Sequence, residues 1–133
     1  MKIFIIVYLL SISYLFNFLQ KEKTFEESIS DGKMIYEDFC VQCHLDSGEG
    51  IKGIYPPLNK SDYLLENINK SIHSIKFGLK GDIVVNGIKY NGVMINQGLE
   101  NEEIADVMNY ITNSWDNNLS IQITEKRVSE LKK

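Results

Sequence analysis

Cys40-Val41-Gln42-Cys43-His44 is the stretch that decides the fold, and its two cysteines are the only ones in the chain. Four chemistries use such a pair. A thioredoxin-like dithiol follows a strand in a βαβ setting, which the flanking sequence does not supply. A structural zinc site needs four ligands, and here only His44 and His73 could join the two thiols. A disulfide across two intervening residues is strained. The remaining chemistry is covalent attachment of haem c. Two spacer residues let the chain curl so that both sulfurs reach adjacent vinyl groups, and the next residue places an imidazole under the iron. The motif thus reads as one haem c, held by Cys40 and Cys43, with His44 as a metal ligand.

Working outward, the question is what meets the iron from the opposite side: a histidine, a methionine or nothing. His73 lies in Ser71-Ile72-His73-Ser74 and reads as a polar surface position. Met34 is six residues from Cys40 on the same helix, too near to reach around a haem, and reads as core packing. Met108 falls on the inward stripe of a helix, where methionine usually fills space. Met94 follows Gly92 in a segment far downstream of His44 and reads as a loop residue able to cross to the other face. Met94 is the favoured ligand, with His73 or an open position as the alternatives.

The elements around these residues are helical. Asp31 to Val41 carries Met34, Ile35, Phe39 and Val41 on one face, with Ser28, Ser30 or Asp31 available as a cap. Leu45 to Lys60 holds both prolines and several glycines and reads as a shaped loop. Ser61-Asp62 opens a helix with Leu64, Leu65, Ile68, Ile72 and Ile75 inward. Asn86-Gly87, between Ile83-Val84-Val85 and Ile88-Lys89-Tyr90, is a strong hairpin signal, because both positions tolerate positive φ. Glu100 to about Asn113 repeats Ile104, Val107, Met108 and Ile111 at helical spacing, with acids in its first turn.

The amino terminus differs in kind. Positions 3–19 carry no charge between Lys2 and Lys21. That length is short for a bilayer span and slightly long for a signal-peptide core. The expected organisation is a signal peptide or membrane anchor over 1–20, a linker over 21–30, a haem domain over 31–116 and a tail over 117–133. Export agrees with haem c, which is attached outside the cytoplasm. The protein is therefore expected to be periplasmic or otherwise extracytoplasmic, soluble or anchored to the cytoplasmic membrane. A formal net charge of −4, with no basic run longer than Lys132-Lys133, argues against nucleic acid as a partner.

Four segments in order resemble the class I cytochromes c, the small bacterial kind with a methionine on the distal side. Gly32-x-x-Ile35-Tyr36-x-x-x-Cys40-x-x-Cys43-His44 is similar to the family's first helix and attachment site. Gly48-x-Gly50-x-x-Gly53-x-Tyr55-Pro56-Pro57-Leu58 resembles the loop after it. Tyr90-Asn91-Gly92-Val93-Met94 resembles the ligand loop, and Leu99-x-x-Glu102-Glu103-Ile104-Ala105-Asp106-Val107-x-Asn109-Tyr110-Ile111 the closing helix. The resemblance implies an all-α cytochrome c fold, its helices packed around one covalent haem, with a short β-hairpin before the methionine loop. It further implies that Pro57 lends its carbonyl to the ring N–H of His44, and that Gly32 lets the first and last helices cross against Tyr110. Glu100 stands where the family usually has a Ser or Thr cap, and Ile95-Asn96 where a proline is common.

With His44 and Met94 both on the iron, no position is left for a substrate. The expected function is electron transfer between redox partner proteins, without turnover. The rival readings are an enzyme or sensor in which the haem is five-coordinate or Met94 is displaced, and a fixed cytochrome subunit of a larger oxidoreductase docked through the 117–133 tail.

Overall fold

The computed structural model describes residues 23–133, together with positions 8, 11 and 12. The expected signal or anchor over 1–20 otherwise lies outside the described residues. Among those described, no helix is long and apolar enough to cross a membrane.

The first helix, α1 (Phe25–Phe39), starts well before Asp31, inside the stretch expected to be a linker. Thr24 and Glu27 set that start. The Thr24 hydroxyl accepts from the Glu27 N–H at 3.2 Å, and the Glu27 carboxylate accepts from the Thr24 N–H at 2.8 Å. Each satisfies an amide that the helix leaves free. The buried face also differs from expectation. Ser28, Gly32 and Tyr36 face inward, whereas Met34 and Phe39 are exposed. A close helix crossing selects small side chains over large apolar ones, so the i, i+4 pair of small residues, Ser28 and Gly32, marks the contact.

Cys40 ends α1, and a single turn, α2 (Val41–His44), carries the rest of the motif. Leu45, at φ 63°, then turns the chain back. The following loop folds on itself: Gly50 N–H donates to the His44 carbonyl at 3.0 Å, and Leu58 and Asn59 both donate to the Gly48 carbonyl. The expected single helix after Ser61 is two, α3 (Asp62–Glu66) and α4 (Ile68–Phe77), divided where Asn67 leaves helical geometry. An antiparallel hairpin follows, β1 (Leu79–Val85) and β2 (Ile88–Met94), joined by Asn86-Gly87, both at positive φ as expected. Its register runs from Leu79 opposite Met94 to Val85 opposite Ile88. The strands reach further than Ile83 to Tyr90, so Met94 is the last residue of a strand and not part of a loop.

Helix α5 (Asn101–Ile111) crosses α1 closely and buries Ile104, Val107, Met108 and Ile111, as its spacing predicts. The Glu103 carboxylate accepts from the Glu100 N–H at 2.8 Å, which covers one free amide despite the missing Ser or Thr. Beside this crossing, Lys23 Nζ lies 2.6 Å from Asp31 and 2.5 Å from the buried carboxylate of Asp106. Burial would lower the Lys23 pKa, but the hydrogen bonds its ammonium donates to Asp106 and Asp31 outweigh it and hold the group above its usual range.

The tail carries a short helix, α6 (Glu125–Glu130), and its apolar residues Ile123 and Val128 are fully buried in the core. Lys76 Nζ on α4 donates to the carbonyls of Val128 and Leu131 at its far end. Asn109, wholly buried on α5, clasps the tail. Its Nδ2 donates to the Ile123 carbonyl at 2.9 Å, and its Oδ1 accepts from the Ile123 N–H at 2.7 Å. Replacing Asn109 with leucine would leave both backbone groups buried and unpaired, at about 1–3 kcal/mol for each. The expected result is a fall in Tm of about 10 °C or more, with earlier protease cleavage within residues 117–133. An unchanged Tm would show that the clasp contributes nothing.

Candidate functional site

His44 sits at the end of α2, with 9% of its surface exposed. Its Nδ1 lies 2.9 Å from the Pro56 carbonyl oxygen. A carbonyl only accepts, so Nδ1 carries the proton and Nε2 is left with a bare lone pair. Burial lowers the histidine pKa, the Pro56 bond opposing it, and the ring is neutral at pH 7. An imidazole held in this tautomer is ready to bind a metal through Nε2.

The carbonyl partner is Pro56, which corrects the assignment to Pro57. The Ile51–Tyr55 bridge closes the loop so that Pro56 faces the imidazole. Gly50 makes this possible: a Cβ there would overlap the Tyr55 and Pro56 carbonyls. Pro57 instead lines the adjoining cleft. Behind the histidine, Tyr36, Tyr110 and Trp115 pack in tilted and edge-to-face contacts with centroids 5.4–5.8 Å apart. The Tyr36 hydroxyl donates to the Leu45 carbonyl at 2.6 Å, and Trp115 Nε1 to the Asp46 carbonyl at 3.2 Å. The aromatic trio therefore fixes the turn just after His44.

Two adjoining clefts open in front of His44, of about 70 and 300 Å3. Both are lined by Cys40, His44, Pro56, Leu79, Ile83 and Met94, and Cys43 joins the larger one. Cys40 and Cys43 are free thiols. Burial, with Cys43 nearby, pushes the Cys40 thiol up to about 11, so it is protonated at neutral pH.

Met94 reaches the cavity through strand geometry. In β2 the more buried residues are Ile88, Tyr90 and Met94, with Lys89, Asn91 and Val93 exposed between them. Its backbone is fixed from the other side by Gly78, the residue that ends α4 at φ 85°. A Cβ on Gly78 would come within 2.9 Å of the Met94 carbonyl oxygen.

The fold thus brings Cys40, His44 and Met94 to both largely apolar clefts, with Cys43 on the larger and Pro57 on the smaller. His73 packs against Phe77, ring centroids 4.8 Å apart, and does not line either cleft. Two free thiols, a bare imidazole nitrogen and a thioether around apolar clefts fit a single haem joined through thioethers. They do not fit zinc: among the described residues no group of three or more His, Cys, Asp or Glu could hold a metal ion. Sequence reasoning missed Pro56, Gly78 and Ser71, a buried serine on the cavity wall. Gly78, directly after the apolar run of α4, carried a readable C-terminal signal; Ser71 carried none.

A family model described as cytochrome c matches residues 29–115. Cytochrome c-552 of Thermus thermophilus is 41% identical over 93 residues, which cover 65% of this chain and 69% of that protein. A second cytochrome c-552 of Thermus thermophilus matches at the same identity over 61% of its length. The FixP subunit of the cbb3-type cytochrome c oxidase of Bradyrhizobium diazoefficiens is 32% identical over 85 residues, 60% of this chain but only 28% of that subunit.

Proposed function

Because the chain belongs to the cytochrome c family, we propose that it is a mono-haem c-type cytochrome carrying single electrons between extracytoplasmic redox partners. Cys40 and Cys43 hold the haem, and His44 and Met94 ligate its iron. One observation carries the reading: the bare Nε2 of His44 and the thioether of Met94 line the same apolar cavity, although far apart in sequence.

When bound, haem c supplies a one-electron Fe(II)/Fe(III) couple. The protein does the rest. Pro56 holds the imidazole in its tautomer and orientation, and the hairpin holds the thioether. The apolar walls exclude water, so little has to reorganise when the charge on the site changes by one. A thioether paired with one imidazole favours the ferrous state more than two imidazoles do and gives a relatively high potential. With His44 and Met94 both holding the iron, the site would relay electrons and would not turn over a substrate.

Phe39, Ile54, Tyr55, Val93 and Ile95 line the larger cleft and are exposed. This apolar margin supports docking of redox proteins close to the haem. The likeness to an oxidase subunit favours a second reading, a fixed cytochrome domain of a larger oxidoreductase complex. Ile123 and Val128 of the tail are buried in the core, so only its outer residues, Ile121 among them, would face such a partner. Residues 1–20 would export the chain and either be cleaved or anchor it.

The test is a visible spectrum of the oxidised and reduced protein, made in a host that attaches haem c. Sharp low-spin bands, a far-red sulfur-to-iron band and a one-electron titration are expected. A high-spin spectrum, or ready binding of carbon monoxide, would overturn His44/Met94 ligation and favour a sensor or enzyme.

A further inference from the structure

Three successive residues after α5, Trp115, Asp116 and Asn117, hold the loop that carries Pro56. Trp115 Nε1 donates to the Asp46 carbonyl, and its ring lies so close to Gly48 that a Cβ there would come within 2.5 Å of it. Asp116 pairs with Lys60 at 2.9 Å on the exposed surface, where an ion pair contributes little. Asn117 does most. It is only 5% exposed, and its Nδ2 donates to the Leu58 carbonyl at 2.9 Å and to the Ile111 carbonyl at 2.7 Å. Its Oδ1 accepts from the Lys60 N–H at 2.8 Å. Lys60 sits at φ 52°, a conformation that costs energy in a residue with a Cβ, and this bond helps to hold it there.

The two arms of the loop meet at Gly48, whose carbonyl accepts from the Leu58 N–H at 2.7 Å and the Asn59 N–H at 2.9 Å. Trp115 therefore grips this neck on the Gly48 side and Asn117 grips it on the Leu58 side. Pro56 stands two residues before Leu58, and its carbonyl oxygen lies 2.9 Å from His44 Nδ1. Pro56 and Pro57 both have φ fixed by their rings, so the link between Leu58 and the Pro56 carbonyl is stiff. A displacement at Leu58 is passed on to the imidazole.

We propose that Asn117 is a positioning residue for His44: by fixing Leu58 and Lys60 it sets how closely the Pro56 carbonyl approaches Nδ1, and so tunes the reduction potential of the bound haem. This rests on His44 ligating the iron. A carbonyl held close to the Nδ1 proton leaves more negative charge on the ring and makes Nε2 a stronger donor. Fe(III) gains more from that donation than Fe(II) does, so a close carbonyl lowers the potential. Releasing the loop should raise it.

The experiment compares wild type, Asn117→Ala, Asn117→Ser and Asn109→Leu as haem-loaded proteins, by redox titration and by the NMR signal of the His44 Nδ1 proton in the reduced state. In Asn117→Ala the signal should move upfield as its hydrogen bond lengthens. The ferrous-to-ferric ratio at a fixed potential should rise several-fold, to about tenfold at most, which is about 59 mV for one electron. Asn117→Ser can keep one donation and should move both readouts less in the same direction; it decides the matter if the alanine variant fails to load haem. Asn109→Leu loosens the tail further along, at Ile123, without touching the loop. It should lower Tm and leave both the potential and the proton signal in place. An equal rise of potential in Asn109→Leu would overturn the proposal, because general loosening would then suffice. A potential that moves while the Nδ1 signal stays, or no change in either, would overturn it as well. If the wild type shows no low-spin haem with a histidine Nδ1 proton beside it, it is His44 ligation that fails, and the two failures are distinct.

Discussion

In Met94→Ala the far-red sulfur-to-iron band is expected to disappear and the reduction potential to fall by on the order of 100 mV, within the roughly 0.8 V over which axial ligands tune haem proteins. The fold offers no substitute. Val93 is apolar and 65% exposed, and the His73 ring packs on Phe77 outside the cavity. Carbon monoxide and added imidazole should therefore bind the variant readily where they bind the wild type poorly. The loss of a half-buried side chain should cost only about 1–3 kcal/mol of stability, so the haem stays attached and the spectrum remains measurable. A variant that kept the band and the potential would show that another group ligates the iron. Electrochemistry and a carbon monoxide titration on the same samples decide the matter.

Gly32→Val is expected to have the largest effect on stability. Gly32 is helical, so an added side chain meets no backbone strain and would ordinarily improve the helix by a few tenths of a kcal/mol. Space decides against it. A Cβ at this position would overlap the Asp106 carbonyl oxygen and come within 2.9 Å of the Tyr110 Cβ. Both atoms belong to α5, so the helices would have to separate. That separation would loosen the aromatic trio behind His44 and the Asn109 clasp together. A loss of about 3 kcal/mol or more is expected, read as a fall in Tm of at least about 12 °C and a poor yield of haem-loaded protein. Gly53→Ala is the control. Gly53 is at φ 77° with nothing near its Cβ position, so only conformational strain of about 1 kcal/mol is expected. Equal losses in the two variants would show that close packing is not what requires glycine at position 32.

These expectations rest unevenly on what the sequence discloses. Cys40, Cys43 and His44, which the proposed function assigns to the haem, stand out in the sequence because their spacing within one turn is local. The Asn86-Gly87 turn and the inward face of α5 were legible for the same reason. What failed to show was set across the chain. The start of α1 was hidden by its charged surroundings, although Thr24 and Glu27 carried the capping pattern. Its buried face was misread because a close crossing buries Gly32 and Ser28 and leaves Met34 outside. Gly81 and Gly92 interrupt the alternation of the hairpin, so Met94 read as a loop residue. Neighbouring prolines look alike in sequence, and only the fold of the loop assigns the carbonyl to Pro56. The tail read as a featureless appendage because its partners, Asn109 and Lys76, lie on other helices. Ser71 is an ordinary surface residue type, and only its burial without a partner sets it apart.

Because Met94 ends a strand, its side is governed by parity. Successive residues of β2 point to opposite faces, and a one-residue slip against β1 would exchange Met94 for Val93. A single insertion or deletion between Ile88 and Met94 should turn the sulfur toward solvent, whereas a change of two residues conserves its side. Descendants of this chain could thus lengthen or shorten the hairpin only in even steps, with β1 changing to match. A ligand carried by a flexible loop would face no such restriction. In this protein the reach of the methionine is counted in whole pleats.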